Sequence, residues 1–425
     1  MIDEPRNCLA GLRVLDLTWV YAGPFATRHL ADLGAEVIKI EPYQIGALER
    51  HYSLVLERQG VKQSSYFVFL NRGKKSLSVN LKLDQGVGIV NELVKKSDVM
   101  ISNMAPGSMT RLGLGYDAVS KINPGIIYCT ISCFGHYGSY TNEPGFDLIA
   151  QAASGWCGQS DPPTQAPLAI GDSNAAMHAT TAILAAIYYR EKTGRGQNID
   201  ISMTDCLFHS HEANPPAYLF SDRTVPPAPI GRWHPFYAPY GLIKGRDGFI
   251  AIAGISDLTW DRLVQAMGEE YTWLVTDTRT STLSARLTYE NAPFIHQMLE
   301  EWVMKFDSVA EVEQLLRSAK VPVMRVKNFE EASNAPYIRE REMIVKMKQP
   351  FVGEIEVYGS PFKMSETPGR VTGHAPLLGE HTRKILSGVL GYSDDKINSL
   401  FTDKVVYEED AVHALNREPG LPQDE

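Results

Sequence analysis

The stretches LRVLDL at residues 12–17 and AEVIKI at residues 35–40 decide the fold. Each is a short apolar run typical of a buried strand. Between them, a turn containing Ala22, Gly23 and Pro24 leads into a segment that we predict to be helical to about Leu33. The three pieces together predict a β-α-β unit.

The same alternation continues along the first half of the chain. We predict further strands at residues 76–81, 99–102, 126–132 and 198–203, and helices at residues 86–96 and 177–190. Short apolar strands that alternate with helices indicate a mainly parallel sheet covered on both faces. The fold class is therefore α/β, with a Rossmann-like large domain.

The pattern changes after residue 214. Seven prolines predict an extended connector: Pro215, Pro216, Pro226, Pro227, Pro229, Pro235 and Pro239. A hairpin at residues 242–252, helical patterns to about Ala319 and a strand at residues 321–326 then indicate a smaller α+β domain. We predict a large domain at 1–214, a linker at 215–240, a small domain at 241–325, and a linker with a C-terminal segment at 326–425.

Composition excludes several classes of function. The 425 residues are 44% hydrophobic and carry a net charge of -9, which argues against a nucleic-acid partner. Neither an export signal nor an apolar run of about 18 residues is present, so we predict a cytoplasmic protein without a membrane partner. The five cysteines form no C-x-x-C pair, and no two histidines have metal-ligand spacing on one helix, so we predict no metal.

The motif Gly171-Asp172-Ser173-Asn174 is the most informative candidate site. It follows an apolar stretch at residues 166–170, which we predict to be a strand, and it opens a helix rich in small residues. An aspartate at such a bend is either a helix cap or a nucleophile. Asp, Ser and Asn are all good caps, so the motif alone leaves both readings open.

The first β-α turn raises the question of a nucleotide. Glu41 stands where a ribose-binding acid would, but the turn Tyr21-Ala22-Gly23-Pro24-Phe25 has one glycine where an NAD fingerprint needs three. The missing glycines therefore argue against NAD binding. Backbone groups at Val20 to Ala22 could still meet the pantetheine or phosphates of CoA. Five cations could pair with its phosphates: Arg72, Lys74, Lys75, Lys82 and Arg111. Taken alone, the pair Lys74-Lys75 is more typical of solvated loop charges than of ligands.

Several landmarks together resemble the class III CoA-transferases, the formyl-CoA transferase and CaiB/BaiF family. They are the segments at 9–17, 22–24, 33–42, 145–152, 171–174, 192–197 and 375–381, which occur in the family's order. The resemblance implies a C-terminal segment that returns to the large domain and a homodimer of two interlocked chains. It also implies a CoA thioester as substrate and no permanently bound cofactor.

The resemblance assigns a CoA site to specific positions. With the first β-α turn and the basic loop at Lys74 and Lys75 included, the predicted CoA-binding residues are Val20, Tyr21, Ala22, Lys74, Lys75, Val79, Asn80, Leu81, Lys82, Asn103, Met104, Ala105, Arg111, Pro144, Gly145 and Phe146. One position departs from the family. An arginine that contacts CoA in the formyl-CoA enzymes falls at Pro42, so another cation must replace it.

The resemblance makes Asp172 the nucleophile. Its carboxylate, which we expect to be ionised at pH 7, attacks the donor thioester and gives an acyl-aspartyl anhydride and then an aspartyl-CoA thioester. Amides just after Asp172 are the expected oxyanion donors. Asp147 matches a second family acid and is either a secondary catalytic residue or a capping carboxylate.

Three functions remain at this point. The glycine-rich loop of formyl-CoA transferases has no counterpart between Gly231 and Gly254, which favours succinyl-CoA with a small dicarboxylic or hydroxy acid over formyl-CoA with oxalate. A related α-methylacyl-CoA racemase would need a histidine where Phe146 stands and a glutamate where Ser256 stands. A non-catalytic CoA-binding protein is the third alternative.

Overall fold

A computed structural model describes residues 7–212 and 214–415. Its strands are β1 (Arg13–Leu17), β2 (Glu36–Pro42), β3 (Val55–Arg58), β4 (Val61–Ser64), β5 (Lys75–Val79), β6 (Val99–Ser102), β7 (Ile127–Ser132), β8 (Gln197–Ser202), β9 (Tyr240–Lys244), β10 (Phe249–Ala253), β11 (Val323–Arg325), β12 (Ile344–Gln349), β13 (Gly353–Tyr358) and β14 (Val406–Tyr407).

The helices of the same residues are α1 (Ala22–Asp32), α2 (Ser65–Asn71), α3 (Asp84–Val94), α4 (Ser108–Arg111), α5 (Tyr116–Ile122), α6 (Asp147–Ala153), α7 (Ile170–Thr193), α8 (Met203–His209), α9 (Asn214–Phe220), α10 (Asp257–Met267), α11 (Leu283–Arg286), α12 (Ala292–Val303), α13 (Val309–Ser318), α14 (Phe329–Ser333), α15 (Pro336–Glu340), α16 (Thr382–Lys384), α17 (Asp394–Thr402) and α18 (Asp410–Leu415).

Contacts divide the chain into two compact units. The first comprises the described parts of Met1–Ser154, Ala166–Ser210 and Pro336–Glu425, and the second comprises those of Gly155–Gln165 and His211–Ala335. The second unit thus includes both the connector and the small domain expected from the sequence.

A seven-stranded sheet in the order β14-β5-β2-β1-β6-β7-β8 organises the first unit. Every neighbouring pair is parallel except β14 with β5. Leu15 in the central strand β1 pairs with Ile38 on one side and Met100 on the other. The expected parallel-rich α/β architecture is therefore confirmed.

The apolar positions of these strands form the core. Four of them, in four neighbouring strands, are fully buried: Leu15, Ile38, Leu77 and Met100. They pack with residues of α3, α5 and α17. Because the inner strands of a parallel sheet are covered on both faces, charged residues inside them are buried as well. Asp16 and Lys39 are 0% exposed.

Helix α7 is the long element that carries the Gly-Asp-Ser-Asn motif. It is rich in alanine, a strong helix former, and it buries Ala175, Ala176 and Ala179. It ends at Gly194, whose φ of 70° is the left-handed conformation that glycine adopts at helix ends. Helix α7 contacts α1, α6, α8, β7 and β8.

The second unit contains a smaller antiparallel sheet in the order β11-β10-β9. Ile243, Ile250 and Ile252 on this sheet are buried against Trp260 of α10 and Trp302 of α12. This unit is therefore an α+β structure with its own hydrophobic core.

Several local predictions were wrong. Residues 166–169 form a loop and not a strand, and the helix begins at Ile170, because the amide of Ala166 donates to the side chain of Gln151 instead of to a strand. The start of the predicted connector is the helix α9, since prolines in the first helical turn lose no intrahelical hydrogen bond. The hairpins β3–β4 and β12–β13 were not predicted.

Candidate active site

The carboxyl ends of β1, β6 and β7 surround a cleft of about 220 Å³. The chain runs from β1 to one side of the sheet and returns to β6 on the other, and ligands bind at such a switch point in open α/β sheets. The cleft lining includes ten of the predicted site residues: Val20, Tyr21, Ala22, Asn103, Met104, Ala105, Pro144, Gly145, Phe146 and Asp172.

Asp172 borders this cleft as the third residue of α7. It does not occupy the N-cap position, which belongs to Ala169. The helix start is instead held by Asp147, whose Oδ1 accepts hydrogen bonds from the amides of Gly171 at 2.7 Å and Asp172 at 3.1 Å. An acid at a helix N-terminus is favourable because the free amides carry partial positive charge.

Gly171 is required for this approach. A Cβ atom at that position would lie 2.9 Å from Oδ1 of Asp147, closer than real contacts allow. A larger residue would therefore push Asp147 away from the start of α7.

Gln151 fixes Asp147 from the other side. Its Nε2 donates to Oδ2 of Asp147 at 2.6 Å, and its Oε1 accepts the amide of Ala166 at 2.9 Å. Gln151 is 1% exposed. Sequence reasoning did not identify Gln151. Its position four residues after Asp147, on the same face of a helix, was the available signal.

The electrostatics of the cleft differ from the sequence-based expectation. Burial, followed by the nearby charge of Asp147, raises the pKa of Asp172 to about 7. The carboxyl is thus about half protonated at pH 7 and is not already fully ionised. Burial also raises the pKa of Tyr21, Tyr66 and Cys133, and Asp172 is a further cause for each of them.

The loop between β1 and α1 forms one wall of the cleft and carries backbone strain. Val20 has a φ of 63°, which is unfavourable for a β-branched residue. Asn103, in the loop after β6, accepts from the amide of Trp19 at 2.9 Å and donates to its carbonyl at 2.7 Å. The side chain of Asn103 therefore joins two walls of the cleft.

Lys74 and Lys75 do not line the cleft. Lys74 is 3% exposed, and its ammonium contacts Asp16, Asn71, Thr27 and a backbone carbonyl, so it is not placed to meet a phosphate. Lys75 begins β5, at the far end of that strand from the loop after Val79, and pairs with Glu36 at 2.7 Å. The two lysines of the expected basic loop therefore form ion pairs within the protein.

The remaining predicted residues lie outside the cleft lining. Val79 is 1% exposed and Leu81 packs against the core, while Asn80 hydrogen-bonds to the chain near Lys404. Lys82 is exposed in the loop after β5, and Arg111 is exposed as the last residue of α4, the short helix that follows β6. Both strands end at the same edge of the sheet as the cleft. These two cations are accessible to an anionic ligand.

Glu41 is engaged within the protein. Its two carboxylate oxygens accept hydrogen bonds from Arg50, each at 2.7 Å, and one of them also accepts from Ser76 at 2.6 Å. It is therefore an internal ion-pair partner and not a free ribose-binding acid.

Within residues 7–212 and 214–415, no three His, Cys, Asp or Glu side chains are grouped so that they could hold a metal ion. No helix in those ranges combines the length and the apolarity needed to cross a membrane.

Comparisons with known proteins identify the family of this chain. The model of CoA-transferase family III matches residues 9–382. The chain is 34% identical to the succinyl-CoA:mesaconate CoA-transferase of Haloarcula marismortui over 389 residues, which is 89% of this chain and 96% of that protein. It is also 34% identical to the formyl-CoA:oxalate CoA-transferase of Streptomyces coelicolor, over 94% of this chain and 99% of that protein.

A solved structure has the same fold. The crystal structure of a CaiB/BaiF family protein from Brucella suis superposes with a TM-score of 0.77 at 29% identity, and the match covers 90% of this chain and 99% of the other. The resemblance inferred from the sequence motifs is confirmed.

Proposed function

Because the chain belongs to CoA-transferase family III, we propose that it moves CoA from an acyl-CoA donor to a small carboxylic acid through covalent intermediates on Asp172. The observation that carries this proposal is the position of Asp172, whose carboxyl borders the cleft at the carboxyl edge of the sheet. A carboxyl with a pKa of about 7 is a stronger nucleophile once ionised than an ordinary carboxylate.

In the first half-reaction, ionised Asp172 attacks the carbonyl carbon of the donor thioester. The carbon–sulfur bond breaks, and CoA leaves as a thiolate while the acyl group remains as an aspartyl anhydride. The thiolate then attacks the aspartyl carbonyl carbon, which releases the donor acid as a carboxylate and forms an aspartyl-CoA thioester.

The second half-reaction repeats these steps in reverse with the acceptor. The acceptor carboxylate attacks the aspartyl thioester and forms a new anhydride, with CoA leaving as the thiolate. The thiolate attacks the acceptor acyl carbon, which gives the new acyl-CoA and regenerates the Asp172 carboxylate. No net proton or electron is taken up, so the cycle needs no further co-reactant.

The oxyanions of these steps need hydrogen-bond donors. The amides of Gly171 and Asp172 donate to Asp147, and the amide of Ser173 donates to the carbonyl of Ala169 at 3.0 Å. The donors expected just after Asp172 are thus already bonded. We therefore assign this role to the amides of Ala22 and Gly23, which open α1 at the cleft wall and precede the first intrahelical hydrogen bonds. Pro24 has no amide hydrogen, and the amide of Phe25 donates to the carbonyl of Tyr21 at 2.8 Å.

The size of the cleft supports a binding mode in which only one end of the CoA molecule enters it. At about 220 Å³ it is below the roughly 300–1,000 Å³ of a typical small-molecule site, so it suits the thioester and acyl end. The nucleotide end would follow the carboxyl edge of the sheet towards the exposed cations Lys82 and Arg111. We do not include Lys74 or Lys75 among the proposed phosphate ligands.

For substrates we propose succinyl-CoA as donor and a small dicarboxylic or hydroxy acid as acceptor. The name of the Haloarcula relative supports this pair, and so does the missing glycine-rich loop. The racemase alternative is less well supported, since Phe146 lines the cleft at the position where that chemistry needs a histidine base.

We further propose that the protein acts as the interlocked homodimer implied by the resemblance. Exposed apolar side chains on α6 and α7, namely Leu148, Ile149 and Met177, support a partner surface on the first unit. Two differently tagged preparations mixed under native conditions should form no hybrid dimers. Rapid formation of hybrids would contradict the interlocked arrangement.

The nucleophile is tested by trapping. Enzyme incubated with succinyl-CoA and hydroxylamine should carry a hydroxamate at Asp172, located by peptide mass spectrometry. Asp172→Ala should lower kcat by on the order of 10³-fold or more and still bind CoA, because only the covalent step is lost. An active alanine variant, or a hydroxamate at another residue, would show that a different group carries the acyl chain.

A further inference from the structure

The cleft loop between β1 and α1 is held by two buried side chains from other parts of the chain. Nζ of Lys39 donates to the carbonyl of Thr18 at 2.8 Å. Oε2 of Glu49 accepts the amide of Val20 at 2.9 Å. Since Asn103 binds both backbone groups of Trp19, the backbone is anchored at three successive residues.

Lys39 and Glu49 also pair with each other. Nζ of Lys39 lies 3.0 Å from Oε1 of Glu49, and neither side chain has any exposed surface. Burial alone would lower the pKa of Lys39, but the charges of Asp16 and Glu49 outweigh it and raise that pKa. The ammonium therefore stays charged at neutral pH.

Stability alone does not account for this ion pair. Well-packed apolar residues of similar volume usually serve a protein core as well as a buried ion pair does. Apolar residues could not, however, donate a hydrogen bond to the carbonyl of Thr18 or accept one from the amide of Val20. The contribution specific to Lys39 and Glu49 is the geometry of the loop.

Val20 explains why the loop needs such contacts. Its φ of 63° lies in the left-handed region, which is strongly unfavourable for a β-branched side chain. A strained residue persists only where its surroundings hold it, and such residues cluster at functional sites. Here the amide of the strained residue is itself bound to Glu49.

We propose that Lys39 and Glu49 are positioning residues that hold Val20 in its left-handed conformation and thereby shape the cleft wall that meets the acyl-CoA. The proposal rests on the proposed function, because it takes acyl-CoA as the ligand of the cleft. It assigns no chemical step to either residue.

The decisive test is a double-mutant cycle between positions 49 and 20. In Glu49→Gln the side chain has one oxygen, so either Val20 or Lys39 loses its acceptor. We expect the KM for acyl-CoA to rise about 5- to 30-fold, which corresponds to the penalty for a left-handed non-glycine residue. In the V20G background glycine adopts positive φ without strain, so E49Q should then raise the KM no more than about threefold.

Asp98→Asn is the matched control. Oδ2 of Asp98 accepts the amide of Arg13 at 2.7 Å, and Oδ1 pairs with Arg190 at 3.0 Å, so it combines a backbone contact with an ion pair as Glu49 does. It lies just before β6, at the opposite edge of the sheet from the cleft. The D98N variant should leave the KM unchanged.

Equal losses from E49Q in the two backgrounds, or equal losses from E49Q and D98N, would overturn the proposal. If E49Q fails to fold, the apolar pair K39M/E49L takes its place, with the same cycle against V20G. Circular dichroism and thermal melting identify the folded variants.

A fluorescence measurement on the loop itself distinguishes a failure of this proposal from a failure of the proposed function. Trp19 lies in the same loop and is 38% exposed, so its acrylamide quenching, obtained by subtracting the signal of W19F, reports the loop without turnover. If the wild type binds no acyl-CoA, the proposed function fails. Quenching that changes in E49Q and returns towards wild type in V20G/E49Q would still support the positioning role, and unchanged quenching would overturn it.

Discussion

The carboxylate of Asp147 accepts a hydrogen bond from the backbone amide of Asp172 at 3.1 Å. It therefore attracts the main chain of Asp172 and repels its side chain when both are ionised. The first effect stabilises the start of α7, and the second contributes, after burial, to the raised pKa of Asp172. One acid thus supports the fold while it tunes the other acid for chemistry.

The raised pKa predicts the pH dependence of turnover. Only ionised Asp172 can attack, and its pKa is about 7. We expect kcat/KM for the acyl-CoA to rise roughly tenfold per pH unit below about pH 6 and to level off above about pH 8. Initial rates between pH 5 and 9 measure this. A profile that is flat across that range would contradict the proposed ionisation.

Asp147→Asn should move that profile to lower pH. Asparagine keeps an oxygen for the two amides but removes the negative charge, and loss of a like charge lowers the pKa of Asp172. The matched control is Asp117→Asn, an exposed aspartate in the first turn of α5, which should leave the profile in place. An unmoved profile in D147N would show that the two carboxyls do not interact.

Asp172→Asn should stabilise the protein in a pH-dependent way. The folded-state pKa of about 7 lies above the ordinary aspartate pKa of 3.8, so ionisation favours the unfolded chain as the pH rises between these values. The increase in the free energy of unfolding caused by asparagine should be absent near pH 4. It should grow towards pH 7 and stay constant above it, reaching at most about 4 kcal/mol. Denaturation midpoints at pH 5 and pH 8 test this, and equal gains at both would contradict it.

Arg111→Ala should weaken binding of CoA without unfolding the protein. Arg111 is exposed at the end of α4, and a charge-assisted contact to phosphate contributes about 1.5–3 kcal/mol. We expect at least a tenfold rise in Kd by calorimetry, which should shrink at high salt. Arg58→Ala, an exposed arginine in β3, is the control, and an equal effect from both variants would mean that Arg111 makes no specific contact.

The sequence predicted the inner part of the fold well. The buried strands β1, β2, β6 and β7 consist of apolar runs, and their order along the chain with helices between them leads directly to a parallel sheet. The cleft residues that follow β1, β6 and β7 were predicted mainly from the family resemblance. They come together because the carboxyl ends of parallel strands meet at one edge of the sheet.

Other features depended on contacts that no local pattern records. The hairpin β3–β4 is mostly exposed and polar, so it lacks the apolar signal of a strand. Lys74 has the sequence pattern of a surface cation, because its ion-pair partner Asp16 lies 58 residues earlier in the chain. Lys39 could have been noticed, since a lysine between Ile38 and Ile40 in an inner strand must be buried and paired.

Strand β14 has a consequence for synthesis on the ribosome. Val406 of β14 pairs with Val79, and Leu400, Val405 and Val406 complete the main core of the first unit. A nascent chain must therefore carry an unfilled core and an unpaired strand edge until Val406 has emerged. The second unit ends at Ala335 and can be complete much earlier, so the part of the chain made first is the part that finishes folding last.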